Sequence, residues 1–231
     1  MKYQKIFKVT DNMCGLYQSI KPSGVLDILQ GAAGEHADML GIGYDALKEK
    51  GYAFVLARVK YDLYRKISRY DELMIETTPL TPGRIDFDRD FEIYDQKTGD
   101  KIGIGTSKWI IIDLNTRKIC RSSVFQYPCA TRVDGNYESF DKLTFDDLDF
   151  NQEYDYQVRH NDVDFLGHMN NTKYADALIL NKPSKHFEIN FIREVKLNDV
   201  LTIKHNDNCF IGYADDTVSF KAYIEYFEGD E

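Results

Sequence analysis

With 231 residues and 43% hydrophobic content, the chain can bury one large core or two smaller ones, so length leaves the number of domains open. A formal net charge of -9 and a pI near 5.1 lack the surplus of Lys and Arg that phosphate binding depends on, so no nucleic-acid partner is expected. Met1 to Thr10 carries Lys2, Lys5 and Lys8 without an apolar leader core, and no later stretch is long and apolar enough to span a bilayer, so a cytoplasmic protein without a membrane partner is expected.

The elements read in chain order are a strand, one helix and a run of strands. A helix is expected from Ser23, taken as its N-cap after Pro22, with Val25, Leu26, Ile28, Leu29, Ala32, Ala33, His36, Ala37 and Leu40 on one broad apolar face and Gly41 and Gly43 ending it. So apolar a face needs a sheet to cover it. Strands are expected at Tyr52 to Leu63, Glu72 to Thr77, Arg84 to Tyr94 and Lys101 to Leu114, where β-branched and aromatic residues alternate between turn-rich breaks. From Arg121 to Phe150 the pattern dissolves around Pro128, Gly135 and Asn136 and a cluster at Asp141, Asp146, Asp147 and Asp149, which reads as a linker. The order then restarts: a strand at Glu153 to Arg159, a turn, a helix from about Asn170, and strands near Phe187 to Val195, Val200 to His205 and Thr217 to Phe227.

Superposing the two helices by apolar phase sets Asp27 on Asp176, Leu29 on Leu178 and Ser19 on His168 without a gap, so the chain reads as a duplication whose first half lacks the histidine. The expected class is α+β. Cys14, Cys120, Cys129 and Cys209 are widely spaced with no CxxC pair, and free thiols are expected.

The segment His160-Asn161-Asp162-Val163-Asp164-Phe165-Leu166-Gly167-His168-Met169-Asn170-Asn171-Thr172-Lys173-Tyr174 gathers carboxylates, imidazoles and amides between a strand end and a helix start. There, exposed N–H groups favour a developing negative charge, and a carboxylate with an imidazole can activate water, which is what thioester hydrolysis needs. Other readings stay open, among them that His168 after Gly167 is only a packed histidine. Asp162, Asp164, Asn170 and Asn171 are also ordinary turn and capping residues, and His160, Asp162, Asp164 and His168 are metal-ligand types, although their spacing matches no recognised ligand set.

Asp162 to Tyr174 resembles the D-x-D-x-x-x-H-x-N-N-x-x-Y signature in the second hot-dog repeat of acyl-ACP thioesterases, the family of the plant enzymes and their bacterial relatives. Leu29-Gln30-Gly31-Ala32-Ala33-Gly34-Glu35-His36-Ala37 resembles the long helix of the first repeat, and Thr106-Ser107-Lys108-Trp109-Ile110-Ile111-Ile112-Asp113 the strand that closes its sheet. The resemblance implies a tandem, or double, hot-dog with a long helix wrapped by an antiparallel sheet in each half: residues 1–130 as an N-terminal hot-dog holding the acyl chain, 131–150 as a linker, and 151–231 as a C-terminal hot-dog holding the catalytic turn.

It implies hydrolysis of acyl-ACP to free fatty acid in fatty acid biosynthesis, with no metal and no organic cofactor. Asp164 and His168 match the family's catalytic acid and histidine, and Asn170 and Asn171 its paired Asn at the helix start. Leu166 stands where the plant enzymes have a catalytic Asn. Laid without gaps, Thr202 to Cys209 covers the plant stretch that ends in a catalytic Glu followed by Cys, which puts Asn208 at the Glu and Cys209 at the Cys. Asn208 could orient water, and Cys209 is a weaker candidate nucleophile beside His168.

The carrier's acidic surface is expected to dock on Lys173, Lys182, Lys185, Arg193 and Lys196. A monomer or homodimer is expected, as is a C-terminal half trimmed by one strand or hairpin. Two alternatives remain: the same chemistry on acyl-CoA, and a non-catalytic acyl-binding or regulatory module; a dehydratase fits less well, because its acids would follow the histidine along the helix.

Overall fold

The apolar stripe of the first helix is what the sheet is built around. In the computed structural model, which describes residues 2–124, 126, 135–138, 140–145, 148–180 and 182–228, α1 spans Pro22–Met39. Pro22 begins this helix instead of preceding it, with Lys21 as the flanking residue, because a ring-locked φ and a missing N–H suit the first helical position. Val25, Leu26, Ile28 and Leu29 are all at most 2% exposed, and each contributes roughly 1.5–3 kcal/mol by leaving water. Gly41, with φ +71°, turns the chain out of the helix.

Strands β1 (Tyr3–Lys8), β2 (Tyr52–Leu63), β3 (Glu72–Pro79), β4 (Asp86–Asp95) and β5 (Lys101–Asp113) surround α1, with a short α2 (Tyr44–Lys48) before β2. The second half supplies β6 (Gln152–Gln157), α3 (Asn171–Asp176), β7 (Ser184–Phe191), β8 (Val200–His205), β9 (Cys209–Ala214) and β10 (Thr217–Tyr226). All ten strands form one antiparallel sheet in the order β1-β3-β4-β5-β2-β7-β10-β9-β8-β6. When β1–β5 are matched to β6–β10 in chain order, this arrangement reads the same from either end. The halves join where β2 pairs with β7, from Arg58↔Asn190 to Asp62↔His186.

Local hydrogen bonds repeat the offset read from the sequence. Gly15 N donates to Ser19 O at 3.0 Å as Asp164 N does to His168 O at 2.8 Å; Lys21 N donates to Met13 O as Asn170 N does to Asp162 O. Both helices start at equivalent positions, Pro22 and Asn171.

Three expectations are corrected. The second helix is not long: α3 has six residues, because the Tyr154 hydroxyl donates to Ala177 O at 2.8 Å and accepts from Ile179 N at 3.2 Å where another turn would continue, and Pro183 follows. The C-terminal half is not short of a strand, since β9, absent from the sequence reading, completes five; its side chains are buried almost without alternation, so it lacks the period-two signal. Finally, β7 ends at Phe191, four residues before the expected limit, as Ile192 N and Arg193 N both donate to Ser219 O and lead the chain off the ladder.

The expected linker lies partly along the sheet. Arg58 Nη1 donates to Phe140 O at 2.7 Å, the Tyr137 hydroxyl to Asp62 Oδ2 at 2.7 Å, and Leu143 N to Asn190 Oδ1 at 2.8 Å. Pro128, Cys129, Asp146 and Asp147 lie outside the described residues, as do Gly229 to Glu231 at the C-terminal end; Cys14, Cys120 and Cys209 are free thiols.

Candidate active site

After β6 the chain makes a single 3-10 turn, His160–Asp162, and then the loop that carries Asp164 and His168. Asp162 is buried and closes the turn, its Oδ2 accepting from Arg159 N at 2.8 Å. Asp164 does the same for the loop: Oδ1 accepts from Leu166 N at 2.8 Å and His168 N at 3.3 Å, while Gly167 takes a φ of +80° that a side chain disfavours. Its other oxygen, Oδ2, accepts no hydrogen bond among the described residues. Both aspartates therefore shape the loop, as the turn reading expects, and Asp164 keeps one free carboxylate oxygen.

His168, a quarter exposed, sets Nδ1 3.2 Å from Oε2 of Glu194, a residue the sequence reading passed over. A carboxylate at Nδ1 favours the tautomer that carries its proton there, and that tautomer presents Nε2 as the acceptor a general base needs. Glu194 uses its second oxygen as well, accepting from Arg117 Nη2 at 2.7 Å. Arg117 comes from the turn after β5, so a side chain of the first half reaches the loop of the second. A second cross-half contact accompanies it: Phe165, 80% exposed, meets Tyr44 edge-on at 5.2 Å.

At the helix start Asn170 is the N-cap, its Oδ1 accepting from Thr172 N at 3.0 Å and Thr172 Oγ1 at 3.2 Å. Lys173 N donates to Asn170 O. Two of the N–H groups expected to receive an oxyanion are thus already used, and a six-residue helix has little dipole to add. The backbone N–H and side-chain amide of Asn171 have no protein partner among the described residues and remain as donors.

Asn208 and Cys209 are not brought to this site. The Asn208 side chain donates to Ile224 O at 2.6 Å and Cys209 pairs with Tyr223, so both belong to the β8–β9 turn against β10. Burial pushes the Cys209 thiol up and disfavours a thiolate. The gap-free register of Thr202 to Cys209 is corrected accordingly: the glutamate beside His168 is Glu194, and Val195 follows it. Leu166 is half exposed and offers no amide. The metal-ligand reading has no geometric support, because Asp162 and Asp164 are engaged with backbone N–H groups, and no set of three His, Cys, Asp or Glu side chains converges among the described residues.

The repeated hydrogen bonds of the fold give Glu194 a counterpart in the first half. Ile20 N donates to Ile67 O as Met169 N does to Val195 O, and Val9 N donates to Asp71 O as Val158 N does to Asp199 O. Arg65-Lys66-Ile67 therefore matches Arg193-Glu194-Val195, and Tyr70 and Asn198 share a positive φ. By this correspondence Gly15, Ser19 and Lys66 stand in the first half where Asp164, His168 and Glu194 stand in the second. The first half keeps the loop and has none of the acid–base groups.

Of the expected basic rim, Lys196 is bridged to His168 through the backbone and Arg193 donates to Ala214 O at 3.3 Å, both beside the turn. Lys173 pairs with Asp176 at 2.9 Å. Lys182 lies elsewhere, in the wall of a cleft of about 180 Å³ between the first half's turn at Gly15–Pro22 and the segment after α3.

Residues 1–124 match the family model described as the acyl-ACP thioesterase N-terminal domain, and residues 145–230 match the C-terminal domain model. The chain belongs to the acyl-ACP thioesterase family. Among curated relatives, it is 25% identical over 224 residues to the oleoyl-acyl carrier protein thioesterase, chloroplastic, of Coriandrum sativum, covering 90% of this chain and 61% of that protein. A similar protein of Arabidopsis thaliana is 24% identical over 217 residues, covering 86% and 59%. The chain thus spans about three fifths of the length of these relatives.

Solved structures of the family share the fold. An acyl-ACP thioesterase from Bacteroides thetaiotaomicron superposes with a TM-score of 0.81 at 22% identity, covering 96% of both chains. The 12:0-ACP thioesterase from Umbellularia californica gives 0.75 at 20% identity, covering 97% of this chain and 96% of that one. The large antiparallel sheet with few helices is a hot-dog fold.

Proposed function

We propose that the chain is an acyl-ACP thioesterase, releasing free fatty acid from acyl-carrier protein, and that it is built as a tandem hot-dog with an acyl-binding unit at residues 1–130, a linker at 131–150 and a catalytic unit at 151–231. The palindromic strand order and the two family-model matches support the division. The observation that carries the activity is the Glu194–His168 pair on a loop organised by Asp164, within a chain of this family.

His168 Nε2 takes a proton from water as its oxygen adds to the acyl carbonyl carbon. The Asn171 N–H and amide receive the oxyanion, taking the place of the spent N–H groups of α3. Collapse of the tetrahedral intermediate breaks the carbon–sulfur bond, and the proton held by His168 passes to the departing thiolate. Glu194 stabilises the transient imidazolium, and Asp164 holds the loop and offers Oδ2 to the water. Neither metal nor cofactor enters these steps, and the Asn that Leu166 displaces has no role in them.

The acyl chain is assigned to the first half, and the carrier docks by its acidic surface on the Arg193 and Lys196 side of the turn. Kinetics on matched acyl-ACP and acyl-CoA panels test the reading. Acyl-ACP is expected to be the better substrate, with KM rising for acyl-ACP alone on charge reversal at Arg193 and Lys196. Equal use of both carriers, unaffected by those changes, refutes the carrier assignment.

A further inference from the structure

The carboxylate that orients His168 is itself held from the other half of the molecule. Glu194 lies in the loop after β7 and is free of the ladder, and a side chain this exposed has several rotamers open to it. Its two oxygens are nevertheless both assigned: Oε2 faces His168 Nδ1 at 3.2 Å and Oε1 accepts from Arg117 Nη2 at 2.7 Å. We propose that Arg117 is a positioning residue that fixes the Glu194 carboxylate in the orientation that serves His168, so that the base of the second half is set by the first. This rests on the hydrolase reading above.

The backbone around Arg117 supports the assignment. Asp113 Oδ1 accepts from Asn115 N at 3.0 Å, Thr116 N at 2.7 Å and Thr116 Oγ1 at 3.1 Å, and Arg117 N donates to Asp113 O at 2.8 Å, which makes a tight turn at the end of β5. Arg117 occupies its left-handed position with φ +58°, where glycine is the residue the geometry favours and any Cβ is disfavoured. An arginine here is unfavourable for the turn itself, and its guanidinium makes a contact across the halves that glycine cannot. The two side chains are 54% and 44% exposed, and an ion pair that exposed adds little to stability, so fold stabilisation is a weak account of it.

The same backbone provides a test that separates function from folding. Arg117→Gly removes the guanidinium while relieving the turn, so its Tm is expected to equal or exceed that of the wild type. Its kcat on acyl-ACP is expected to fall about tenfold, because a misoriented general base loses rate even when substrate still binds, with KM within about twofold. Arg117→Lys is expected to recover part of the loss, and Arg117→Gly in the Glu194→Gln background to add nothing further, since both changes act through one carboxylate.

Wild-type kcat in Arg117→Gly, or fully additive losses in the double variant, overturns the proposal while leaving the hydrolase reading intact if His168→Ala and Glu194→Gln are impaired. A rise in KM at unchanged kcat also overturns it, because the guanidinium would then be touching the carrier arm. Full activity in His168→Ala and Glu194→Gln overturns both.

Discussion

Replacing Glu194 by Gln keeps the shape of the side chain and removes its charge, so it measures what the anion does for His168. In the proposed mechanism His168 becomes an imidazolium, whose attraction to Glu194 at 3.2 Å is about 1 kcal/mol in bulk water and about 5 kcal/mol at an effective dielectric near 20. The two side chains are 25% and 44% exposed, which places them between these limits, at about 2–3 kcal/mol. If that attraction is made mainly in the transition state, kcat falls roughly 30- to 150-fold with KM little changed. The assay is steady-state hydrolysis of acyl-ACP with the released thiol followed continuously, alongside thermal unfolding to confirm an intact fold. A Glu194→Gln enzyme within about twofold of wild-type kcat would show that the anion beside His168 is not part of the catalytic group.

Further outcomes follow from the same geometry. Asp164→Asn keeps an oxygen that can accept from Leu166 N and His168 N, so it should retain stability and lose activity through the missing charge, whereas Asp164→Ala should lose activity and about 1–3 kcal/mol of stability; equal Tm losses in both would refute the distinction. Cys209→Ala should hydrolyse acyl-ACP at the wild-type rate, since the thiol is 8% exposed and packed at the β8–β9 turn; loss of kcat with unchanged Tm would restore it as a nucleophile. His36, 2% exposed with Nδ1 accepting from Arg89 Nη1 at 3.0 Å, is held down to about 4 by burial first and the neighbouring guanidinium second. Its neutral form is the one the fold holds, so the contribution is complete above the ordinary histidine value of 6.5 and is lost as pH falls toward 4, by up to about 3 kcal/mol. A His36→Gln variant should show a flatter stability–pH curve than wild type over that window, and parallel curves would refute the assignment.

Local pattern carried much of this architecture. The limits of β2 and β8 follow from alternation bounded by turn residues, and the buried face of α1 follows from helical spacing. The repeat was read from the apolar phase of the two helices, and the paired loops share hydrogen bonds although their residues differ, Gln18 standing where Gly167 does. The length of α3 was not visible, since it is ended by Tyr154 from a neighbouring strand, and β9 was missed because a strand buried on both faces has no alternation to read. The pairing at the site was hidden for a different reason: His168 and Glu194 are 26 positions apart and Arg117 and Glu194 are 77 apart, so only the folded chain sets them side by side. A register chosen by gap-free extension favoured Asn208; the correspondence of Arg65-Lys66-Ile67 with Arg193-Glu194-Val195 emerges from the hydrogen bonds of the fold, and its first-half member is a lysine.

The most direct measurement is single-turnover hydrolysis of acyl-ACP by wild type and His168→Ala, with free fatty acid quantified. Turnover by the wild type and a loss of roughly 10²- to 10⁴-fold in the variant is the predicted result. Equal release of fatty acid by the two proteins would contradict the assignment of His168 as the base.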